Sequence, residues 1–170
     1  MSIFQKKIIN LFPSSFGLDL SDLSVKAVWL EHEGNKDVIR SYGSVPLPAG
    51  AIMDGEIVNP EIVEEAIRTL LKKSGPKKIT TKKVICSLPE TKAFLRIISL
   101  PKMKEDEVQE AIKWEIEANI PLTLDQVYYD WQILNLNLTN EKDKMSVLVV
   151  AVSRSNVDQF REVLEGAGLD

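Results

Sequence analysis

Apolar and polar positions change period several times along this chain, and each change marks an element. Phe16 to Leu20 and Val25 to Leu30 are two short apolar runs around the polar tetrad Ser21, Asp22, Leu23, Ser24. That pattern predicts a β-hairpin with a four-residue connection. Gly34-Asn35 is a turn signal, and Val38 to Val45 reads as a third strand ended by Pro46 and Pro48, with Ala49 to Val58 as a loop. Asn59-Pro60-Glu61 predicts a helix start: Asn as cap, Pro at the first helical position, Glu at the positive end of the dipole. Ile62, Val63, Ala66, Ile67, Leu70 and Leu71 then recur at i, i+3, i+4, so one face is destined for a sheet, and Gly75-Pro76 stops the helix.

The second half repeats the alternation. Val84 to Leu88 is nearly all apolar and reads as a strand buried on both faces, with Cys86 in the core. Ala93 to Leu100 is a further strand closed by Pro101. Acids at 105–107 open a second helix whose stripe is Val108, Ala111, Ile112, Ile116 and Ile120, ended by Asn119-Ile-Pro121. Val127 to Leu134 and Met145 to Val152 form a hairpin across a connection at 135–144. Ser155-Asn-Val-Asp158 resembles a capping box, starting a last helix that turns Val157, Phe160, Val163, Leu164 and Ala167 inward. Strands and helices thus alternate in an α/β (α+β) chain with a β-rich lobe in its second half.

Composition narrows the function classes. The 170 residues, 44% hydrophobic and 27% charged, suit one domain or two small lobes. A net charge of −4 gives no electrostatic footprint for nucleic acid. One cysteine and one histidine exclude a disulfide framework and a Cys/His zinc site, and fit a reducing cytoplasm. The longest apolar run, Val147 to Val152, is far short of the roughly 20 residues that span a bilayer. Residues 1–15 read as a leader: a frayed terminus, or a weak amphipathic foot with Ile3, Phe4, Ile8, Leu11 and Phe12 beside Lys6 and Lys7.

Candidate chemistry sits on the first hairpin. Asp19 ends one strand, Lys26 opens the next, and the turn between offers amides and small hydroxyls, a combination suited to a metal-phosphate ligand. Asp and Ser are also ordinary turn residues, so the stretch alone reads first as an inert hairpin and only second as a ligand site. His32 between two glutamates is a solvated side chain, and Cys86 has no histidine or cysteine nearby to lower its pKa. Glu107, Glu110, Glu115 and Glu117 spread around one helix as solvation, and the lysines at 77, 78, 82 and 83 do the same for a loop. Trp114 lies off the buried stripe, as a partner anchor or packed beneath a loop. No catalytic residue is assigned.

An ordered series of segments carries a family resemblance. It comprises Gly17 to Lys26, Leu47 to Pro60, Val84 to Pro89, Ile98 to Pro101, Glu115 to Pro121, Tyr129-Asp-Trp131, Val147 to Ala151 and Leu164 to Leu169. The chain resembles the N-terminal half of the type IV pilus assembly proteins of the PilM family, in the actin-like ATPase superfamily that includes the division protein FtsA. The resemblance implies an actin-like, ribonuclease H-like 1A subdomain (16–89 plus 154–170) interrupted by an SHS2-type 1C subdomain (90–153).

Further implications concern function. By the same resemblance Asp19 would hold Mg2+ through water, the turn residues Ser21, Asp22, Leu23 and Ser24 would present amides to the phosphates of ATP, and Lys26 would neutralise charge. The chain has no metal site of its own. The implied partner is the N-terminal tail of a PilN-like inner-membrane protein, bound between 1A and 1C, together with other inner-membrane pilus assembly proteins. The place of work is the cytoplasmic face of the inner membrane, with peripheral contact only. The leading expectation is a non-catalytic scaffold. An ATP-driven switch, an FtsA-like division protein and a GspL-like secretion protein are the alternatives.

Two departures bear on the nucleotide. Ser21 stands where the family usually has Gly, and Asp22 stands where it has a small hydroxyl or amide residue. The second phosphate loop and the adenosine pocket are expected beyond Asp170.

Overall fold

The computed structural model describes residues 15–134 and 143–170, so the leader at 1–14 and the residues at 135–142 lie outside the described part. The described residues fall into two compact units, one made of 15–91 with 158–170, the other of 92–157.

In the first unit, β1 (Phe16–Ser21), β2 (Ser24–Glu33) and β3 (Lys36–Pro46) form an antiparallel meander. β1 also pairs in parallel with β7 (Val84–Cys86), and β3 pairs with the short β6 (Gly75–Pro76), giving the order β6-β3-β2-β1-β7. Alternation along the strands sends Phe16, Leu18, Leu20, Val25, Ala27 and Trp29 to one face, all buried. α1 (Pro60–Lys73) covers that face with Val63, Ala66, Ile67 and Leu70. Burying Val63, Ile67 and Leu70 stabilises the unit by about 1.5–3 kcal/mol each.

The approach of α1 is close because Gly43 faces it. A Cβ there would lie 2.7 Å from Ser74 Oγ and 3.1 Å from Leu70 Cδ1. Phe160, Val163 and Leu169 complete the core from the last helix, α3 (Arg154–Gly166), and the segment after it. The opposite face of the sheet keeps an apolar row in register across the strands: Ile85, Val28 and Tyr42 remain exposed, with Gly17 between the first two.

Several expectations change in this unit. The first connection is two residues, Asp22-Leu23, because the ladder extends to the pair Ser21↔Ser24. The expected loop 49–58 contains a small hairpin, β4 (Ile52–Met53) and β5 (Glu56–Ile57), turned by Asp54 and Gly55 at φ 50° and 76°. Both positive values are the signature of the primed turns that Asp-Gly favours. Asn59 is the N-cap residue of α1, but its side chain makes no cap: Nδ2 donates to the carbonyl of Gly50 at 2.9 Å. β7 is three residues long and lies at an edge of the described sheet, so Ile85 is 55% exposed rather than buried on both faces.

On the β2–β3 ribbon, Arg40 Nε donates to Glu31 at 2.7 Å and Lys77 Nζ lies 3.7 Å from the same carboxylate. The Arg40 hydrogen bond holds the Glu31 carboxyl below the usual carboxylate range. Lys77 also lies 5.2 Å over the Trp29 ring, so one of the loop lysines has a cation–π partner as well as solvent.

In the second unit, β8 (Ala93–Pro101), β9 (Val127–Leu134) and β10 (Lys144–Ser153) form an antiparallel sheet in the order β8-β10-β9. α2 (Glu105–Asn119) packs against it with Val108, Ile112 and Ile116, all 0% exposed, on Ile98, Val127, Trp131, Val147 and Val149. The Glu107 carboxylate accepts from the Lys104 amide at 2.8 Å and so satisfies one orphan donor at the start of α2. Trp114 is 71% exposed. The last helix starts at Arg154, two residues before the start that a Ser155 cap implies: the Asn156 amide donates to Ser153 Oγ at 3.3 Å, which makes Ser153 the capping side chain. No helix of the described residues is long and apolar enough to cross a membrane.

Candidate functional site

The tip of the first hairpin opens on a cleft of about 620 Å³ in the first unit. Its walls come from the ends of β1 and β7, the turn of the β4–β5 hairpin and the 3-10 turn at Glu90–Lys92. Asp19, Ser21, Asp22 and Leu23 line it, whereas Ser24 and Lys26 do not.

Asp19 is placed by strand alternation on the face of the sheet away from α1, opposite Lys26 in the ladder. Lys26 Nζ lies 3.5 Å from its Oδ2, both side chains being about half exposed, and Ser87 Oγ donates to its Oδ1 at 3.0 Å. Such an exposed pair contributes about 0–1 kcal/mol, so it orients more than it stabilises. Ser21 Oγ donates to the Ser24 carbonyl at 3.0 Å, and the two hydroxyls are 3.3 Å apart, so both are engaged with each other across the turn. Leu23 is 73% exposed, and its carbonyl accepts from the Leu47 amide at 2.9 Å.

Asp22 does what the sequence reading did not anticipate. Its carboxylate turns to the second hairpin, accepting from the Asp54 amide at 3.1 Å and the Gly55 amide at 3.3 Å. The expected gathering of carboxylate, amides and ammonium is therefore met in part: Asp19 and Lys26 come together, while Asp22 points to a different element. Asp54, Gly55, Ser87 and Glu90 are cleft residues that sequence reasoning missed. The Asp-Gly dipeptide was the available signal for the first two, and nothing local to Glu90 marks it.

Four carboxylates, Asp19, Asp22, Asp54 and Glu90, line this cleft, and no lysine or arginine does. Two like charges 4 Å apart repel by roughly 4 kcal/mol at an effective dielectric of about 20, so an added polyphosphate meets an unfavourable wall. Among the described residues no three acidic, histidine or cysteine side chains are grouped to hold a metal ion. The lining itself therefore supplies no cation to a polyphosphate, and the ammonium of Lys26 is paired with Asp19 at 3.5 Å.

Cys86, beside this cleft, is not a nucleophile at neutral pH. Burial first, and then the charge of Asp19, push its thiol up to about 12. In the folded chain its alkylation by iodoacetamide at pH 8 is expected to be at least about tenfold slower than in urea, a difference that follows from thiolate fraction. Equal rates, followed by mass spectrometry, would contradict this reading.

Comparison with known proteins bears on the same residues. The sequence model of a family described as type IV pilus assembly protein PilM matches residues 17–170. A solved structure titled PilM-PilN type IV pilus biogenesis complex contains a chain 30% identical, at a TM-score of 0.75 over 92% of this chain and 45% of that one. The cytoplasmic domain of EpsL, an inner membrane component of the type II secretion system of Vibrio cholerae, matches at 13% identity and a TM-score of 0.53, over 92% of this chain and 54% of that one. At that identity the second likeness concerns the fold alone. The chain spans about half the length of both solved chains.

Proposed function

The chain belongs to the family of the type IV pilus assembly protein PilM, with the mixed α+β, actin-like fold of that family, and from this membership we propose that it acts as a scaffold of pilus assembly. In this reading it performs no chemistry of its own. It binds the N-terminal tail of a PilN-like inner-membrane protein and is held through that partner at the cytoplasmic face of the membrane. The observation that supports this reading best is the likeness, at 30% identity over 92% of the chain, to a protein solved in a PilM-PilN complex. An extended tail would draw affinity from main-chain hydrogen bonds and apolar pockets, which needs no catalytic group.

Fluorescence titration with a synthetic PilN-like N-terminal peptide tests the proposal. Trp114 is 71% exposed while Trp29 and Trp131 are 6% and 7% exposed, so peptide near α2 and peptide near either core perturb different emission bands. Saturable binding that a scrambled peptide does not reproduce is the expected result. Its absence at millimolar peptide would sink the proposal for this chain.

The acidic lining of the cleft argues against the ATP-switch reading, and calorimetric titration with magnesium and ATP separates the two. A secretion-system scaffold is the second reading, and the fold shared with the EpsL domain is compatible with it. A tail peptide from a type II secretion partner that bound more tightly than the PilN-like one would favour it.

A further inference from the structure

The hairpin that the family resemblance reads as a phosphate loop is tied down from within the chain. Two consecutive backbone N–H groups, those of Asp54 and Gly55, converge on the carboxylate of Asp22 at 3.1 and 3.3 Å. Adjacent amides aimed at one anion are the device by which loops hold phosphate oxygens. Here the anion is a side chain 32 and 33 residues away in sequence, and it joins the tips of two separate hairpins.

Gly55 is buried and both turn residues have positive φ, so the turn presents these amides without help from any ligand. A phosphate entering between the tips would have to displace Asp22 and then face the released carboxylate, with Asp19 and Glu90 in the same lining.

We propose that Asp22 is an internal anion that stands in for a bound phosphate at the β4–β5 turn. It clasps the β1–β2 turn to the β4–β5 turn and leaves the wild-type site closed to polyphosphate. The amides of Asp54 and Gly55 are then an anion site that the protein fills itself, and removing the carboxylate opens it to inorganic phosphate. The proposal does not depend on the peptide-binding reading, and its outcome leaves that reading untouched.

Thermal unfolding of the whole chain tests it with wild type, Asp22→Ala and Asp22→Asn, each with and without 50 mM (about) inorganic phosphate against chloride of equal ionic strength. Phosphate stabilises proteins generally by exclusion from their surface, so the readout is the difference between variant and wild type. Asp22→Ala is expected to lower the melting temperature by about 3–8 °C, the size set by two charge-assisted hydrogen bonds in a chain of this length. Phosphate is expected to restore at least half of that loss while shifting the wild type no more than a distant surface variant. Asp22→Asn keeps the shape and one acceptor oxygen but not the charge, and serves if alanine does not fold. Its melting temperature is expected to rise with phosphate beyond the wild-type response. The proposal is overturned if both variants respond to phosphate as the wild type does, if Asp22→Ala melts with the wild type, or if magnesium and ATP stabilise the wild type saturably with Asp22 intact.

Discussion

Ile112→Ala is expected to cost roughly 2–5 kcal/mol, the range for emptying a fully buried isoleucine site. Ile112 is the middle of the three residues, Val108, Ile112 and Ile116, by which α2 meets its sheet, and all three are 0% exposed. On the sheet side the same core is built of Val147, Val149 and Ala151 from β10 and Val127 and Trp131 from β9. Short, stiff β-branched side chains from strands cannot swing over to fill the space a missing isoleucine leaves, so the site relaxes little and the cost falls in the upper part of that range. Hydrogen exchange with mass spectrometry reads this directly: amides of β8, β9 and β10 should lose protection at lower denaturant than in the wild type. Leu95→Ala, on the opposite face of β8 and 55% exposed, is the control, expected within about 0.5 kcal/mol of wild type. Equal losses in the two variants would mean that the α2 face is not the core of this unit.

That core was legible from the sequence because its signal is periodic. Val108, Ile112 and Ile116 recur every four residues, and the apolar run Val147 to Val152 sits opposite them in the same unit. The meander was legible for the same reason, since alternation along β1 and β2 marks their inner face residue by residue. Helix and strand periods survive in sequence because a whole face must be buried at once.

What failed was set by contacts far apart in the chain. Val84, Ile85 and Cys86 form an apolar run, yet whether such a run is covered on both faces depends on what packs over it, and Ile85 is 55% exposed. Asn59 has the right chemistry for a cap, but the Gly50 carbonyl lies within its reach and takes its amide instead. Asp22 is the sharpest case. Read locally it is a turn residue or a charge misplaced beside a phosphate; its partners are 32 and 33 residues downstream, on a two-strand hairpin too short for its alternation to stand out from a loop. The family model matches the chain over residues 17–170, whereas the role of Asp22 rests on a contact that a local reading of its turn does not contain.

Gly55→Ala puts the second large effect at that site. Gly55 holds φ at 76°, where a Cβ costs about 1–2 kcal/mol. The built Cβ would also lie 2.7 Å from Pro89 Cβ and 2.9 Å from Pro89 Cγ, and a proline ring held between β7 and the Glu90–Lys92 turn has little freedom to withdraw. Overpacking of this kind adds about 1–3 kcal/mol, so the substitution is expected to cost roughly 2–5 kcal/mol in all. Gly34→Ala isolates the backbone share: φ is 63° there and nothing lies within 4 Å of the added carbon, so about 1 kcal/mol is expected. Urea midpoints for the two variants, at unchanged slope, give the comparison. Because the strained turn carries the amides that hold Asp22, Gly55→Ala combined with Asp22→Ala should lose less than the sum of the single losses, by about 0.5–3 kcal/mol for groups in direct contact. Additive losses would show that the turn and the first hairpin are stabilised independently, and a Gly55→Ala midpoint equal to that of Gly34→Ala would show that Pro89 yields freely.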